Sequence, residues 1–553
     1  GGRALYIPSR YSLMYSNFND FYSTDSSQTV YAGNSYLSFS SYQSQLSKDT
    51  NSVSVHPKWT TLEGYEPSSL YINDAAEVIS TITTDIIGKI RGVNPDIGCF
   101  EFKSANNDAG LDSVLTERCE GVSTVRVKIK NHGLNPISQV VVNWNLKTGG
   151  GPSAPQTSAK IAGLSIPVFG DTIVEIGTMN FLRKIRYELS ASIDSVNGVK
   201  DSIPRNDTAH VDSVFSKMSG AFTVGGINPD FSNVLDALAA LQKNDVCGPV
   251  IFNIRPGEYY GRHTLFSVEG VDSINTVLFQ SDTSFSGWAH LTYRGAPLQF
   301  YGVKYYTFKN LKFSTTRISS VVNFSAANEG ITFLNDSLVG TNVNTSIRDF
   351  NSVFYQSSSS SGVQKNLVIK HCVILNGSRG IHLIGNGGTG IKHPYNVEIT
   401  NNKILGFYYT GVFLYNTPHS LVHKNIIDDN YSHTSGNGVF VQGCVSTTLS
   451  ANKISIRAGN GVDLRYNIGT QSTDAVRMFN NFIFFKDTSG ANLQHGIRGD
   501  NNNYLTVAFN SVKVSKGTNA STAIYMQSGL GWKIVNNNFS NFGTGLVQQY
   551  GNA

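Results

Sequence analysis

Short alternating strands, separated by single asparagines and glycines, recur along the second half of the chain. In "VEITNNKILGFYYTGVFLYN" (397–416) an apolar strand ends near Asn402, a second strand follows, and Gly411 opens a third. Apolar and polar residues alternate with a period of two, which is typical of β-strands with one buried face. The same order of elements returns in later segments, so the pattern predicts repeated units of three short strands.

One asparagine in each unit, two residues before an aliphatic or aromatic residue, sets the period. The six copies are Asn402, Asn425, Asn452, Asn481, Asn510 and Asn537. They are separated by 23, 27, 29, 29 and 27 residues. Such a period, without helix-length patterns, indicates a stacked solenoid with coils about 4.8 Å apart. We expect these amides to be buried and bonded from coil to coil as an asparagine ladder. Cys372 and Asp336 fill the same slot upstream and are expected to break the ladder.

Two further features belong to the same solenoid. Ala523 opens the third strand once, and glycine opens it in the other units: Gly380, Gly411, Gly438, Gly461, Gly496 and Gly545. We expect glycine because a turn there requires a backbone conformation closed to other residues. Upstream, the residues Val234, Leu235, Leu238 and Leu241 predict one face of a short helix, with Asp230 or Ser232 as its N-cap, that covers the first coil.

This repeat resembles the right-handed parallel β-helix repeat family over about 306–553, and "GAFTVGGINPDF" resembles the usual opening of that family. The alternating segment 108–217, with "VKIKNHG" and "NDTA", resembles immunoglobulin-like adhesion modules of bacterial surface proteins. Residues 1–107 resemble the tail that closes such solenoids in very large proteins exported by the type IX secretion route. The resemblance implies an all-β chain: a β-helix end at 1–107, an Ig-like β-sandwich at 108–217 and a parallel β-helix at 218–553, incomplete at its C-terminus.

Composition excludes several classes of function. Only 15% of residues are charged, and the net charge of +5 is spread without a basic run, so we expect neither a nucleic-acid partner nor insertion into a membrane. No stretch of eighteen apolar residues occurs. The five cysteines lack metal-ligand spacing, so we expect no metal and no cofactor.

Candidate chemistry lies on the third strand of the repeat. Asp463 and Arg465, and Arg498 and Asp500 one coil later, are expected to point outward as a lattice of opposite charges. An outward aromatic set beside them could stack on sugar rings or pack against protein: His382, Phe413, Phe440 and Tyr525, with Tyr408, Tyr409 and Tyr415 nearby.

Acid and base candidates are few. Asp428-Asp429 and "HGIR" are similar to polygalacturonase motifs, although the other motifs of that family are missing. The residues of an enzymatic alternative would be Asp429, Asp463, His495 and Arg498. The preferred interpretation has no catalytic residue, since charges paired with each other need no shifted pKa.

Asp-Ser/Thr-aliphatic triplets occur eight times. They resemble the O-glycosylation signal of bacteria that use the type IX route, which implies glycans at Ser113, Thr172, Ser195, Ser202, Thr208, Ser213, Ser273 and Ser337. The alternative is ordinary strand alternation at sheet edges.

Together these patterns favour a structural or adhesive segment of a giant secreted surface protein that is not an enzyme. Its expected partners are neighbouring repeats of the same protein and possible surface glycans, and its expected location is the bacterial cell surface. An overlay of Leu5 on Leu546 further suggests one period of a larger tandem repeat. The alternative is a β-helix polysaccharide lyase or glycoside hydrolase with an accessory sandwich.

Overall fold

A computed structural model describes residues 3–7, 9, 15–33, 35–57, 67, 69–102, 105–201, 203–204, 206–342, 349–356, 364–385, 396–429, 436–487, 489, 491–543 and 548–550. The chain divides into two compact units, Gly1–Ser216 and Lys217–Ala553. Leu546, and with it the tandem overlay, lies outside the described residues. Within the described residues, no helix is long and apolar enough to cross a membrane.

The first unit begins with a small three-stranded sheet and a helix. The strands are Leu5–Ile7, Val30–Ala32 and Ser35–Leu37, and a 3-10 turn, Ser26–Gln28, precedes the second strand. Two further 3-10 turns, Asp349–Asn351 and Ser472–Asp474, belong to the second unit. Helix α1, Phe39–Leu46, begins at Ser38, whose hydroxyl accepts from the Ser41 backbone N–H at 3.2 Å. Phe39 and Tyr42 of this helix pack on the sheet in a small apolar core.

Two antiparallel sheets follow in the same unit. The three-stranded sheet contains Ala109–Thr116, Gly121–Asn131 and Asp171–Phe181. The six-stranded sheet contains Ile137–Thr148, Ser153–Pro155, Ala159–Ile166, Arg186–Val196, Val199–Lys200 and Thr208–Phe215. Alternate residues of both sheets form one apolar core, with Trp144 and Phe181 among its largest members. The period-two pattern of the sequence therefore corresponds to strands with one buried face.

The second unit is a parallel β-solenoid with three long sheets. The first sheet has 12 described strands: Met218–Val224, Val246–Ile254, Val277–Ser281, Tyr306–Lys309, Thr332–Leu334, Val368–Lys370, Glu398–Thr400, Leu421–His423, Thr448–Ser450, Arg477–Phe479, Thr506–Ala508 and Lys533–Val535. The second has 11: Gly257–Tyr260, Ala289–Tyr293, Lys312–Thr315, Ser337–Val339, Val373–Leu375, Lys403–Phe407, Ile426–Asp429, Lys453–Ile456, Phe482–Phe485, Ser511–Val514 and Asn538–Asn541.

The third sheet also has 11 described strands: His263–Phe266, Leu298–Tyr301, Val322–Phe324, Phe354–Gln356, Arg379–Ile384, Thr410–Tyr415, Asn437–Gln442, Gly459–Arg465, Gln494–Asp500, Thr522–Gln527 and Gln548–Tyr550. A two-stranded pair, Asn328–Glu329 with Gln364–Lys365, lies outside the three sheets. Each coil contributes one strand to each sheet, and the inward side chains form a continuous apolar core along the unit. The expectation of a parallel β-helix is confirmed.

Helix α2, Val234–Asn244, packs on this core. Two details differ from expectation. Its N-cap is Asn233, whose side chain accepts from the Asp236 backbone N–H at 3.0 Å, rather than Asp230 or Ser232. Leu235 is 42% exposed, because Ala237 takes the remaining core position beside Val234, Leu238 and Leu241.

The repeated asparagines lie at the corner between the first and second sheets. Asn425 shows the arrangement: its backbone N–H and its Nδ2 both donate to Asn452 Oδ1 at 3.0 Å, and Nδ2 also donates to Ile399 O at 2.8 Å. The same double donation links each copy to the next, from Asn402 to Asn537. The amides thus form a chain of hydrogen bonds along the solenoid.

Upstream of Asn402, Cys372 and Asp336 occupy the equivalent position and still take part in hydrogen bonds between coils, although neither has a side-chain amide. The Cys372 backbone N–H donates to Asn402 Oδ1 at 2.8 Å, and Asp336 Oδ1 accepts from the Leu311 backbone N–H at 2.8 Å. A second, shorter ladder, absent from the sequence analysis, follows the third sheet. Cys444 N–H donates to Asn467 Oδ1 at 2.8 Å, and Asn467 Nδ2 donates to Asn502 Oδ1 at 2.8 Å.

The glycines that open the third strands have a different reason from the expected one. None of the five that the structure describes has a positive φ, so no left-handed turn requires them, and Gly545 lies outside the described residues. Instead, a Cβ at each position would meet the next coil: at Gly411 it would lie 2.6 Å from Gly438 O and 2.5 Å from Ile427 Cγ2. The coils approach so closely at this corner that a methyl group has no space.

Asp336→Asn is expected to stabilise the protein at neutral pH. Complete burial raises the pKa of the Asp336 carboxyl well above its usual value. A group whose pKa is higher in the folded state favours folding below its unfolded pKa, and this contribution is lost as the pH rises through the folded pKa. An uncharged amide has no such loss, although its Nδ2 group cannot accept from the Leu334 backbone N–H, which donates to Asp336 Oδ2 at 3.1 Å. Relative to wild type, the unfolding temperature of the variant should therefore rise by about 2 °C or more between pH 4 and pH 7.

Asp474→Asn is a control in which the pKa of the replaced carboxyl is shifted in the opposite direction. Backbone N–H donors from Gln471 and Thr470 lower the pKa of the Asp474 carboxyl. Its stabilising contribution is present above the unfolded pKa and lost as the pH falls, so this variant should unfold at a lower temperature at pH 7. A gain for Asp336→Asn that does not change with pH would contradict the buried carboxyl as its cause.

Candidate functional site

Outward side chains of the third sheet form three rows that cross its strands. The register fixes their members. The central row contains Tyr355, His382, Phe413, Phe440, Asp463, Arg498 and Tyr525. The polar row contains Arg379, Thr410, Asn437, Asn460, His495 and Thr522, and the distal row contains Ile384, Tyr415, Gln442, Arg465, Asp500 and Gln527. Strands in register one coil apart place each member directly beside the next.

Aromatic rings stack along the central row. The Phe413 and Phe440 rings are parallel within 2° with centroids 4.7 Å apart, and His382 lies 4.8 Å from Phe413 on the other side. The Arg379 guanidinium carbon lies 4.4 Å from the Phe413 centroid, and that of Arg465 lies 5.4 Å from the Phe440 centroid. The row therefore combines apolar ring faces with cations held against them.

These rows form the wall of a cavity of about 570 Å³. Its described lining residues are Arg379, Tyr409, Phe413, Asn437, Phe440, Gly459, Asn460, Arg465, Leu493, His495, Arg498 and Tyr525. None of them carries a carboxyl group, and the segments 386–395 and 430–435 contain no Asp or Glu in the sequence. The size of this cavity suits a small ligand or one part of a polymer.

Asp463 lies beneath the cavity wall and is 0% exposed. Arg465 Nη2 donates to its Oδ2 at 2.7 Å, and Arg465 Nε lies 3.1 Å from both oxygens. Asn460 Nδ2 donates to Oδ2 at 3.2 Å, and Arg498 Nη1 lies 3.5 Å away. The expected charge lattice is thus partly buried: the Asp463 carboxylate is covered and the Asp500 side chain is 23% exposed, while the guanidinium groups of Arg465 and Arg498 face the cavity.

His495 is the one histidine that lines the cavity among the described residues. Its Nδ1 lies 2.8 Å from Thr522 Oγ1, and its ring centroid lies 5.2 Å from that of Tyr525. Burial, with a smaller effect from Arg498, lowers the pKa of His495 to about 4. The imidazole is therefore neutral at pH 7 and able to accept a proton.

A buried basic pair lies at the other end of the rows. Arg379 Nη1 pairs with Asp349 Oδ1 at 2.6 Å, and burial lowers the pKa of Arg379. His382 is almost fully buried between Tyr355 and Phe413, and burial lowers its pKa to about 2. Its ring therefore stays uncharged and extends the aromatic stack.

The structure brings together three of the four residues of the enzymatic alternative. His495 and Arg498 line the cavity and Asp463 lies beneath it. Asp429 lies instead at the end of a second-sheet strand, where it accepts from the Arg457 backbone N–H at 3.0 Å and Lys486 Nζ lies 3.7 Å away. Burial raises the pKa of Asp429 to about 6.

The polar row was missed by the sequence analysis except for His495. A signal for it exists, because each member directly precedes the residue that opens the third strand: Arg379, Thr410, Asn437, Asn460, His495 and Thr522. Six polar residues in that slot contrast with the apolar residues that follow them.

The remaining predicted sites lie elsewhere. Of the eight candidate glycosylation positions, Ser202 lies outside the described residues, and the side chains of the other seven are half-buried or exposed. Within the described ranges, no group of three or more His, Cys, Asp or Glu residues has an arrangement that could hold a metal ion.

No protein-family model and no curated protein matches this chain. Among solved structures, the periplasmic alginate epimerase AlgG is 12% identical, with a TM-score of 0.33 over 60% of this chain and 83% of that chain. The Agl-KA catalytic domain is 11% identical, with a TM-score of 0.30 over 81% and 99%. The catalytic domain of a GH87 alpha-1,3-glucanase in complex with nigerose is 11% identical, with a TM-score of 0.24 over 81% and 87%. At these identities the similarity concerns the fold.

The interpretation of this chain as a structural or adhesive segment without enzymatic activity is contradicted by these comparisons. The solved structures found to be similar are an alginate epimerase, the catalytic domain of Agl-KA and catalytic domains of GH87 alpha-1,3-glucanases. Because one fold carries many activities, the chemistry of this chain has to be judged from its own cavity.

Proposed function

We propose that this chain is an enzyme that acts on a polysaccharide bound along the third sheet. The observation that carries the proposal is the cavity in which aromatic rings, guanidinium groups and a neutral histidine converge. Stacked rings offer apolar faces to the C–H faces of sugars, and the polar row offers amide and guanidinium donors to their oxygens. A polymer would lie across the strands, since the rows extend from coil to coil.

The cavity favours proton transfer over hydrolysis by paired carboxylates. Most glycoside hydrolases use two Asp or Glu residues on either side of the scissile bond. The described lining has none, and Asp463 is covered and held by Arg465. His495 is uncharged at neutral pH and can accept a proton, although a pKa of about 4 makes it a weak base, and the Tyr525 hydroxyl is a further group that could carry a proton.

Replacing Phe413 with alanine tests the proposal. Phe413 is half-buried, lines the cavity and stacks on Phe440. Loss of one stacking face should lower kcat/KM at least about tenfold, which corresponds to about 1.4 kcal/mol. Turnover would be measured on a panel of acidic and neutral polysaccharides by the change in polymer length, by ultraviolet absorbance of unsaturated products and by NMR of sugar configuration.

Phe482→Ala is the matched control. Its ring also faces outward and stacks on Phe484, with centroids 5.3 Å apart, but it lies on the second sheet. This variant should keep wild-type turnover. The proposal fails if no polymer of the panel is altered, or if both variants lose activity equally.

We further propose that the two antiparallel sheets of the first unit form an immunoglobulin-like accessory module of an exported protein. The support is their shared apolar core and the resemblance of 108–217 to such modules. Many polysaccharides lie outside the cytoplasm, which agrees with an extracellular or periplasmic location. Export by the type IX route, contact with neighbouring repeats and glycosylation remain predictions from sequence.

A further inference from the structure

Arg498 has unused hydrogen-bonding capacity that faces the cavity. Its nearest carboxylate oxygens among the described residues are those of Asp463 at 3.5 Å and Asp500 at 3.9 Å, and its guanidinium makes no hydrogen bond to the part of the chain that the structure describes. The side chain is 24% exposed and lines the cavity. A guanidinium has five N–H donors in a planar fork that matches a carboxylate or sulfate.

Arg465 complements this group from the distal row. Its Nε and Nη2 bind Asp463, which fixes the orientation of the guanidinium plane, while the side chain remains 33% exposed. Asp463 itself is buried and cannot contact a ligand. The Asp463 carboxylate therefore lies behind the wall, whereas the guanidinium groups of Arg465 and Arg498 line the cavity. The Asp500 side chain is 23% exposed and is not among the described lining residues.

The other lining groups do not offset this polarity. Arg379 adds a third guanidinium, whose partner Asp349 does not line the cavity. His495 is uncharged at neutral pH because burial lowers its pKa. An anion in the cavity would thus meet three guanidinium groups and no lining carboxylate from the described residues, in a site where partial burial reduces screening.

We propose that the cavity binds a negatively charged sugar residue, whose carboxylate or sulfate is held by Arg498 and Arg465. This inference rests on the proposed function and names the substrate class of the same site. The aromatic stack of Phe413 and Phe440 would bind the adjoining sugars of the polymer, whose uncharged faces suit apolar rings.

The test compares polymers that differ in charge alone. Binding of the full chain would be measured by calorimetry for polygalacturonate and for the same polymer after reduction of its carboxyl groups, and for dextran sulfate and dextran. The charged member of at least one pair should bind at least about tenfold more tightly, and its affinity should fall as salt increases. Preference in the first pair assigns a carboxylate, and preference in the second assigns a sulfate.

Arg498→Gln should weaken binding of the charged polymer at least about tenfold and leave the neutral polymer unchanged. Arg498→Lys should restore only part of the affinity, because an ammonium lacks the planar fork. Arg477→Gln, an exposed arginine of the first sheet that donates to Thr473 O, is the matched control and should bind like wild type. Circular dichroism and the unfolding temperature would verify that each variant is folded.

Two outcomes overturn the inference and can be told apart. If neutral and charged polymers bind equally, the anionic substrate is wrong. If Arg498→Gln retains the preference for charge, the assignment of the anion to Arg498 is wrong. In either case, turnover of a polysaccharide would leave the proposed function intact. If no polymer is bound or altered, both proposals fail.

Discussion

Replacing Gly438 with alanine is expected to destabilise the solenoid by about 3 kcal/mol. The added Cβ would lie 2.6 Å from Gly461 O in the next coil and would also meet the Ile454 side chain. A side chain can change rotamer, but this carbonyl belongs to the backbone of a strand bonded on both edges. The coil spacing would have to increase at this corner, which would weaken the neighbouring strand pairs. Denaturant unfolding followed by circular dichroism measures the loss.

Gly92→Ala provides the matched control. A Cβ at Gly92 has its nearest neighbour at 3.9 Å, and the residue has no positive φ. The same chemical change should therefore alter the unfolding free energy by less than about 0.5 kcal/mol. Equal stability of the Gly438 and Gly92 variants would show that the coils separate at little cost, contrary to the packing argument.

Replacing Asn452 with leucine is expected to cost a similar amount, about 3 kcal/mol, through lost hydrogen bonds. Asn452 Oδ1 accepts from the Asn425 backbone N–H and from Asn425 Nδ2, both at 3.0 Å. Its Nδ2 donates to Val422 O and to Asn481 Oδ1, both at 2.9 Å. Leucine has the same number of side-chain heavy atoms and the same branching, but it leaves buried donors and acceptors on two neighbouring coils without partners.

Asn538→Leu makes the same substitution at an exposed position of the second sheet, where the amide accepts from Ser540 Oγ at 3.4 Å. It should leave the unfolding free energy nearly unchanged. Hydrogen exchange should show faster exchange of the Asn425 amide in the Asn452 variant alone. Protection equal to wild type at that amide would contradict the ladder as the source of stability.

Local alternation and the asparagine period were sufficient to predict the solenoid, because both arise from contacts that repeat in every coil. Other features depend on distances between coils that no single repeat contains. Alternation placed Asp463 on the outward side, but its burial depends on Arg465 in its own strand and Arg498 in the next. Likewise, the recurrence of glycine at the start of the third strands was recognised in the sequence. The reason for it, a backbone carbonyl of the following coil that leaves no space for a Cβ, was not.

The candidate site was predicted in part for the same reason. His495, Arg498 and the aromatic set were identified from composition and spacing, whereas Asn437 and Asn460 were not, since an isolated asparagine in a strand carries little signal. Asp429 was chosen from a dipeptide motif, and its place on another sheet follows from strand order. The absence of enzymatic activity was inferred from scarce acids, a criterion that is valid for paired-carboxylate hydrolysis and not for chemistry based on histidine and arginine.

The asparagine ladder gives the solenoid a polarity. Every amide accepts from the coil before it and donates to the coil after it, so the amide dipoles from Asn402 to Asn510 point the same way and polarise one another. At Asn537 the Nδ2 group donates to backbone carbonyls of Val507 and Val535 instead of a further amide. Loss of one amide should therefore weaken the remaining hydrogen bonds of the chain on both sides of it, because each bond polarises its neighbours.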